Sequence, residues 1–482
     1  MATVLRFACL GVALATISVG AAPGVRSGPA FELDERERVV AYWSDPARYT
    51  VRLTAAAAKD GPWQVRLTPE GSLWLWNYNK SRGLGKVAPT RDAGAQSPEQ
   101  VAWEAWIDAR VAYDRYAAQQ TANIANAEAT GSPIPPTVNP PAEPGAMPGG
   151  LKALAGEAPP FALPAQPQVH TISFDDGVRL TLTDNPPMRP RYAYYRFPQG
   201  VMSGGTRIAN MPEPELVALF KKAGIDASEQ RILKAVSLLE GGFDSINTYD
   251  TGWVSVGFIQ FACLKAGAGS LGEVLYRQKA DEPAAFEDDF RRFGIDVTPT
   301  GQLVALDLTT GEEQVGPDAA REIIDDKRLI AVFQRAGRVS TAFKVAQLEV
   351  AMRRYFPADD IVSVRMGDAQ ASAKVRDLFR SEAGLATLMD RKVNTGKLDP
   401  LPKILEQVVA QNGLASLAEV TAFEREIVAA MRWRKDYLVD ASLTRPRTIF
   451  DAASRSGSVR KSPRVPPRPT NAKPPAKGKG KG

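Results

Sequence analysis

The acid in this chain whose setting suggests chemistry is Glu240. Asp226 and Glu229 form the pattern of a capping box, which predicts a helix start. Leu233, Val236 and Glu240 are spaced three and four apart, so on a helix they share one face. Val236 and Leu239 continue the apolar stripe, and Gly241-Gly242 is expected to end the helix. A carboxyl at the last turn of a largely buried helix keeps its proton for two reasons. Removal from water disfavours the carboxylate, and so does the negative end of the helix dipole. Such an acid suits protonation of a glycosidic oxygen. The alternative is a surface Glu at a frayed helix end, or one paired with an Arg.

The stretch from Phe243 to Phe261 is dense in polar, turn-forming and aromatic residues, and it reads as a hairpin that walls one side of a cleft. Its candidates for substrate contact are Asp244, Thr248, Tyr249, Ser255, Gly257 and Gln260. Gly257 would let a sugar or a neighbouring backbone approach closely. Gln260 both donates and accepts hydrogen bonds, as sugar hydroxyl and acetamido groups require. Asp250 is the candidate base, although Thr251-Gly252 after it is also a turn signature, and Asp244 competes with it while being suited to cap a turn. The chain's one histidine, His170, borders a proline-rich stretch, which argues against a Ser-His-Asp triad or a His-rich zinc site. No metal-ligand spacing is seen and no cofactor is expected, so carboxylates are left to carry proton transfers. Of the two cysteines, Cys9 falls in the N-terminal apolar segment, and Cys263 among apolar neighbours reads as a buried, inert thiol. The pairs Asp288-Asp289 and Asp325-Asp326 read as solvated helix faces.

Taken together, these residues resemble the pattern of lytic transglycosylases and goose-type lysozymes. Those enzymes carry a catalytic Glu at a helix end, then a polar hairpin, then a Gly-Leu-Met-Gln-like motif, and here Ser255-Val256-Gly257-Phe258-Ile259-Gln260 stands in that place. The resemblance implies a lysozyme-like fold, with Glu240 as the acid, Gln260 as the motif Gln and Ser255 as the hairpin Ser. Bacterial chitosanases of the same superfamily are similar in another respect. They place an Asp in the hairpin five residues before a Thr that orients a water, and Asp250 stands five before Ser255. By that likeness Asp250 would match the base. The run from Ala386 to Gly396 resembles a late cleft helix of chitosanase-like and phage-type glycosidases, which implies substrate contacts for Asp390 and Asn394. The resemblance spans residues 212–396. It departs from the pattern where Gly241, rather than Ser, follows Glu240, and where the hairpin lacks the usual chitosanase loop length. The implied substrate is a β-1,4-linked amino-sugar polymer, with peptidoglycan first. A chitosanase-like hydrolase and a non-catalytic wall-binding protein are the rival readings.

The elements expected to position these residues form an α+β chain, mainly helical, preceded by a small Trp-rich α+β domain over residues 31–129. In that domain strands are expected at Val39–Trp43, Tyr49–Leu53, Trp63–Leu67 and Leu73–Tyr78. A helix is expected after the Ser97 cap, with Pro98 and Gln100 completing the signature. Six of the eight tryptophans lie between Trp43 and Trp106. Trp74, Trp76 and Tyr78 alternate, so on a strand they share a face, serving as a sugar platform or, preferably, as core. Residues 130–168, rich in Pro, Ala and Gly, read as an extended linker without a core of its own. The second domain, 169–440 with its core over 212–396, should open with a strand pair around Asp175-Asp176-Gly177 and an aromatic strand Tyr192–Phe197. Helices should follow over Ala319–Arg335, Ser340–Tyr355, Ser372–Thr387, Leu401–Gln411 and Ser416–Tyr437, with a short strand pair near Leu303–Leu308.

The two termini differ in character. Arg6, the apolar run Phe7–Val19 and the small residues Val19–Ala22 read as a signal peptide over 1–22, which implies export to the periplasm or beyond. No segment reads as a membrane span. The net charge is +6, but nine Lys or Arg and no acid lie between Ser454 and Gly482; taking those nine away leaves the rest at −3. That tail, 454–482, reads as disordered, and either holds the protein on an anionic envelope surface or only keeps it soluble. Nucleic acid is not expected as a partner.

Overall fold

The computed structural model describes residues 28–54, 61–82, 96–137, 139–238 and 241–448. The expected signal peptide, the basic tail and Glu240 lie outside them.

The chain opens with a helix where a strand is expected. In α1 (Leu33–Trp43) the buried residues are Val39 and Trp43, four apart, so burial follows the helical period and not the alternation of a strand. Trp43 donates its indole N–H to the Phe293 carbonyl at 3.1 Å and packs edge-on against Phe174. The expected strands β1 (Tyr49–Leu53) and β2 (Gln64–Leu67) form. The expected strand over 73–78 does not, because it falls inside α2 (Pro69–Ser81). There Thr68 caps the helix by accepting the Gly71 N–H at 3.0 Å, and Pro69 fits the first turn. Helical spacing separates the three aromatics that alternation would have aligned. Trp74 and Tyr78 stack at 5.7 Å in a core with Phe161, Ile107 and Val111, whereas half-buried Trp76 turns to Tyr194.

The long helix α3 (Pro98–Thr130) begins with the capping box of Ser97 and Gln100 and ends at Gly131, whose φ of 69° is left-handed. Residues 130–168 are not an extended linker. Helix α4 (Gly149–Ala155) buries Leu151 in the core of α2 and α3, and β3 (Ala162–Ala165) pairs antiparallel with β2. Met147, Leu151, Ala158 and Phe161, scattered among the prolines, supply the apolar surface that draws this segment in. Strand β4 (Gln168–Ser173) then sits between β1 and β5 (Arg179–Thr183), so one sheet spans both sides of the proline-rich stretch. Tyr192–Phe197 is irregular, with a single bridge from Tyr195 to Asp250. Pro186, Pro187, Pro190 and Pro198 around it lack the N–H groups that a ladder needs.

Next come β6 (Met202–Ser203), α5 (Glu213–Lys222) and α6 (Ala227–Ser237), then the short strands β7 (Ile246–Asn247), β8 (Ser255–Val256) and β9 (Phe261–Ala262). These strands make one small sheet in the order β6-β7-β8-β9. After α7 (Gly269–Asp281) and α8 (Pro283–Asp289), a further sheet is built from β10 (Ile295–Val297), β11 (Leu303–Leu306) and β12 (Glu313–Val315). The helix expected over 319–335 is two helices, α9 (Pro317–Asp325) and α10 (Lys327–Val339). Asp326 stands between them and accepts the Arg328 N–H at 2.8 Å, capping the second. With α11 (Thr341–Tyr355), α10 forms the centre of the main core.

The helix expected over 372–387 is also corrected. A hairpin of β13 (Ile361–Met366) and β14 (Ala369–Lys374) precedes α12 (Val375–Leu378) and α13 (Glu382–Thr395). Val362 and Val364 are buried while Ile361, Ser363 and Arg365 are exposed, the two-residue period of a strand. Helix α14 (Leu401–Asn412) forms where expected. The helix expected over 416–437 is shortened to a 3-10 turn, Leu417–Phe423, and α15 (Glu424–Met431). Val362, Leu378, Leu388, Leu405 and Ile427 bind these last elements into a second core. The molecule is thus α+β and mostly helical, with its strands in small sheets.

Candidate functional site

Helix α6 starts as its sequence predicts. Asp226 accepts the Glu229 N–H at 2.8 Å, and the Glu229 carboxylate accepts the Asp226 N–H at 3.0 Å. Ile232, Leu233, Ala235 and Val236 are buried. The helix ends at Ser237, with Leu238 as its cap, and the Ser237 hydroxyl turns back to the Lys234 carbonyl at 2.9 Å. Gly241-Gly242 therefore has a different role from ending the helix. Both glycines are buried, and the Gly242 N–H donates to the Gly204 carbonyl at 3.1 Å. A side chain on Gly242 would run into the Thr206 carbonyl, and one on Gly241 into the Ser245 hydroxyl. The chain just after Glu240 is pressed against residues 204–206, and only glycine permits so close an approach.

A polar cluster surrounds this crossing. Ser245 donates its N–H to the Gly242 carbonyl at 3.0 Å and its hydroxyl to the Ser203 carbonyl at 3.2 Å. Gln260 donates to the Ser245 hydroxyl at 2.8 Å and to the Gly257 carbonyl at 3.1 Å. Gln334, from α10, donates to the Ser203 hydroxyl at 3.0 Å. Asp244 is buried, yet both its oxygens are engaged. One accepts the Thr206 N–H at 2.6 Å, and the other accepts the Arg338 guanidinium at 3.0 Å. That pairing is what allows a carboxylate to sit there. A small cavity of about 150 Å³ opens beside it, lined among others by Asn210, Met211, Phe243, Arg338 and Lys344.

Ser203, Ser245, Gln334 and Arg338 had no signal in the sequence. Ser245 lies inside the polar stretch but in no motif, and α10 is remote in sequence, so its two side chains reach the cluster only through the packing of the main core.

The other hairpin candidates are structural. The Thr248 hydroxyl is fully buried and accepts the Val201 N–H at 2.9 Å. Ser255 is buried in β8 between β7 and β9. Gly257 has φ +88°, and the group close to its Cα is the Gln347 amide of α11, which also donates to the Phe243 carbonyl at 3.0 Å. The close approach that Gly257 permits is thus one within the protein. Tyr249 packs its ring against Tyr192 and Tyr195, and its carbonyl accepts the Arg196 N–H at 2.8 Å.

Asp250 occupies the turn that joins β7 to β8, at the end of that hairpin opposite to Ser245. Its carboxylate accepts from the Asn247 amide at 2.9 Å and from the Gly252 N–H at 2.8 Å. Burial pushes this carboxyl above the usual carboxylate range, against the lowering effect of hydrogen bonds from Gly252, Asn247 and Tyr192.

Asp390 and Asn394 are not brought to the hairpin by any of their hydrogen bonds. Asp390 is fully buried and accepts the Arg434 guanidinium at 2.6 and 3.0 Å. Asn394 donates to the Asp390 carboxylate at 3.2 Å. Together they fasten α13 to the segment after α15, a role that helix spacing alone cannot distinguish from substrate contact. The acidic pairs are corrected in part. Asp289 is buried and accepts the Gln278 amide at 2.7 Å, and Asp326 is a helix cap. Cys263 is buried, and burial pushes its thiol up to about 12. His170 is buried between the Tyr49 hydroxyl, 2.9 Å away, and Asp184, at 3.5 Å.

Among the described residues no group of three or more His, Cys, Asp or Glu is gathered as a metal ion would require, and no helix is long and apolar enough to cross a membrane. The chain matches no family model, no curated protein and no solved structure.

Proposed function

We propose that this protein is an exported, lysozyme-like enzyme that cleaves a β-1,4-linked amino-sugar polymer, peptidoglycan first, with Glu240 as the proton donor. One observation carries the reading. Gln260, the residue that matches the motif Gln, is hydrogen-bonded to Ser245, and Ser245 packs on Gly241, the next residue after Glu240. The motif and the segment of the candidate acid thus share one polar cluster although twenty residues separate Glu240 from Gln260. Glu240 would donate its proton to the glycosidic oxygen as the bond from that oxygen to the anomeric carbon breaks. The Glu240 carboxylate would then take a proton back from the nucleophile, either a water or a hydroxyl of the same sugar.

The hydrogen bonds of Asp250 favour this single-acid chemistry over an inverting pair. An inverting base must hold a water across the sugar from the acid, with the carboxyl groups roughly 6.5–9.5 Å apart. Asp250 instead has both oxygens engaged in its own turn, accepting the Asn247 amide and the Gly252 N–H. The sugar hydroxyl is then the favoured nucleophile, and an anhydro sugar the expected product.

Mass spectrometry of soluble products tests the proposal. Peptidoglycan and chitosan would be incubated separately with the mature protein and with its Glu240→Gln variant. Anhydro-ended fragments from peptidoglycan, released by the wild type alone, are expected. Hydrolytic ends from chitosan would replace this reading with the chitosanase one. Binding without fragments from either polymer would leave a wall-binding protein.

A further inference from the structure

The segment that reads as a linker forms one wall of a cavity. Helix α3 presents Trp106, Arg110, Tyr113 and Asp114 at intervals that place them on one face. Residues 143–147 cross that face, fastened where the Trp106 indole N–H donates to the Gly145 carbonyl at 2.9 Å. Pro140, Pro141, Pro144 and Pro148 stiffen the crossing by fixing its φ angles. Glu157 and Ala158 close a third side, leaving about 370 Å³. That volume is within the range of small-ligand sites.

The lining selects for one chemistry. Arg110 is engaged with Asp114 at 2.8 Å, and the second Asp114 oxygen accepts the Phe161 N–H at 2.8 Å. Glu157 is paired with Lys152. Among the described residues the exposed Glu143 carboxylate and the Tyr113 hydroxyl have no hydrogen-bond partner. The cavity therefore offers two half-buried aromatic rings, a free carboxylate and a free phenol hydroxyl, and its one guanidinium is already neutralised. Aromatic faces attract cations, and a free carboxylate with a phenol oxygen supplies acceptors for an ammonium group, which donates three hydrogen bonds and accepts none.

We propose that this cavity binds a protonated primary amine carried on a cell-wall polymer, either the amino group of a de-N-acetylated sugar or the side-chain amine of a diamino acid in a peptide. The site would anchor the protein to its polymer independently of any cleavage, and it gives the first part of the chain a function.

Titration calorimetry on the full chain carrying Glu240→Gln, in which no cleavage is read, tests the site. The probes are a glucosamine tetramer, its fully N-acetylated counterpart, and an N-acetylated lysyl tetrapeptide whose only amine is the side chain. At least one amine probe is expected to bind and the N-acetylated sugar is not; whichever amine binds identifies the source. Glu143→Gln and Tyr113→Leu, both at partly or fully exposed positions, should each weaken that binding roughly tenfold without changing the circular dichroism spectrum. The proposal is overturned if neither amine binds, if the N-acetylated sugar binds as well, or if both variants bind like the parent. None of these outcomes bears on whether Glu240 cleaves a glycan.

Discussion

At the scale of single residues, carboxyl groups of the same type are put to different uses by what surrounds them. Asp244 is held by an N–H and a guanidinium, Asp390 by Arg434, and Asp250 by two donors of its own turn. If Asp250 only shapes that turn, Asp250→Asn keeps an oxygen for the Gly252 N–H and should leave the cleavage rate within several-fold of wild type. A loss of about 10²–10⁴-fold in a fragment-release assay would instead mark it as a general base. Glu322 offers a pH test of the fold. Burial, together with the nearby Asp307, Asp326 and Asp325, raises its carboxyl to about 7. An acid whose folded pKa is raised costs native stability as pH climbs through its unfolded and then its folded value. Glu322→Gln should therefore raise the melting midpoint near pH 8 and give no such gain near pH 4. Because the group is partly exposed, solvent screening should keep the gain below about 1 kcal/mol. Thermal melts at the two pH values measure it.

At the scale of elements, the crossing of residues 204–206 with Gly241-Gly242 is the feature that sets where the polar hairpin begins. The Gly242 N–H bond to Gly204 and the bridge between Arg207 and Gly242 hold the two strands of chain together. A methyl group at position 242 would meet the Thr206 carbonyl, which is backbone and cannot rotate away. Gly242→Ala should therefore destabilise the protein by about 1–3 kcal/mol, read from denaturant unfolding. The same displacement should lower fragment release through movement of Ser245 and Gln260. Unchanged stability would mean that the crossing is not held this closely.

At the scale of the whole molecule, the part before residue 130 and the part after 168 are linked by more than the chain between them. Strand β1 pairs with β4 from Tyr49↔Ile172 to Leu53↔Gln168. Trp43 sits among Phe174 and Phe293. Arg291 reaches from the central part to Glu35 and to the fully buried Asp296, which also receives Lys279. A fragment beginning at residue 169 would lose the partner strand of β4, empty the place of Trp43 and leave Arg291 with fewer partners. Removal of one buried tryptophan alone costs about 3–5 kcal/mol. The fragment 169–448 should accordingly lack a cooperative thermal transition, whereas the full chain should show one. A fragment that melts cooperatively near the full chain's midpoint would establish an independent domain.

Whatever neighbouring residues decide could be read directly from the order of amino acids. The capping boxes at Asp226 and Ser97 and the turn at Asp175-Asp176-Gly177 depend on groups a few positions apart, and all were legible. The polar stretch after Glu240 was legible as a hairpin for the same reason. Tertiary structure decided the rest. Trp74 and Tyr78 read as one strand face with Trp76, but Thr68 and Pro69 start a helix there and Phe161 packs against Trp74. The scattered apolar residues of the proline-rich segment became a core only because α2 and α3 gave them a surface on which to bury. Gly241-Gly242 reads as a helix stop from its composition alone, yet the glycines are needed for a backbone crossing with residues nearly forty positions earlier. Gln260 was visible as a polar residue in a motif, but its partner Ser245, and the reach of Gln334 and Arg338 to the same cluster, depend on packing between segments far apart in sequence. No local pattern encodes such contacts, because their free energy comes from surfaces that meet only once the chain has folded.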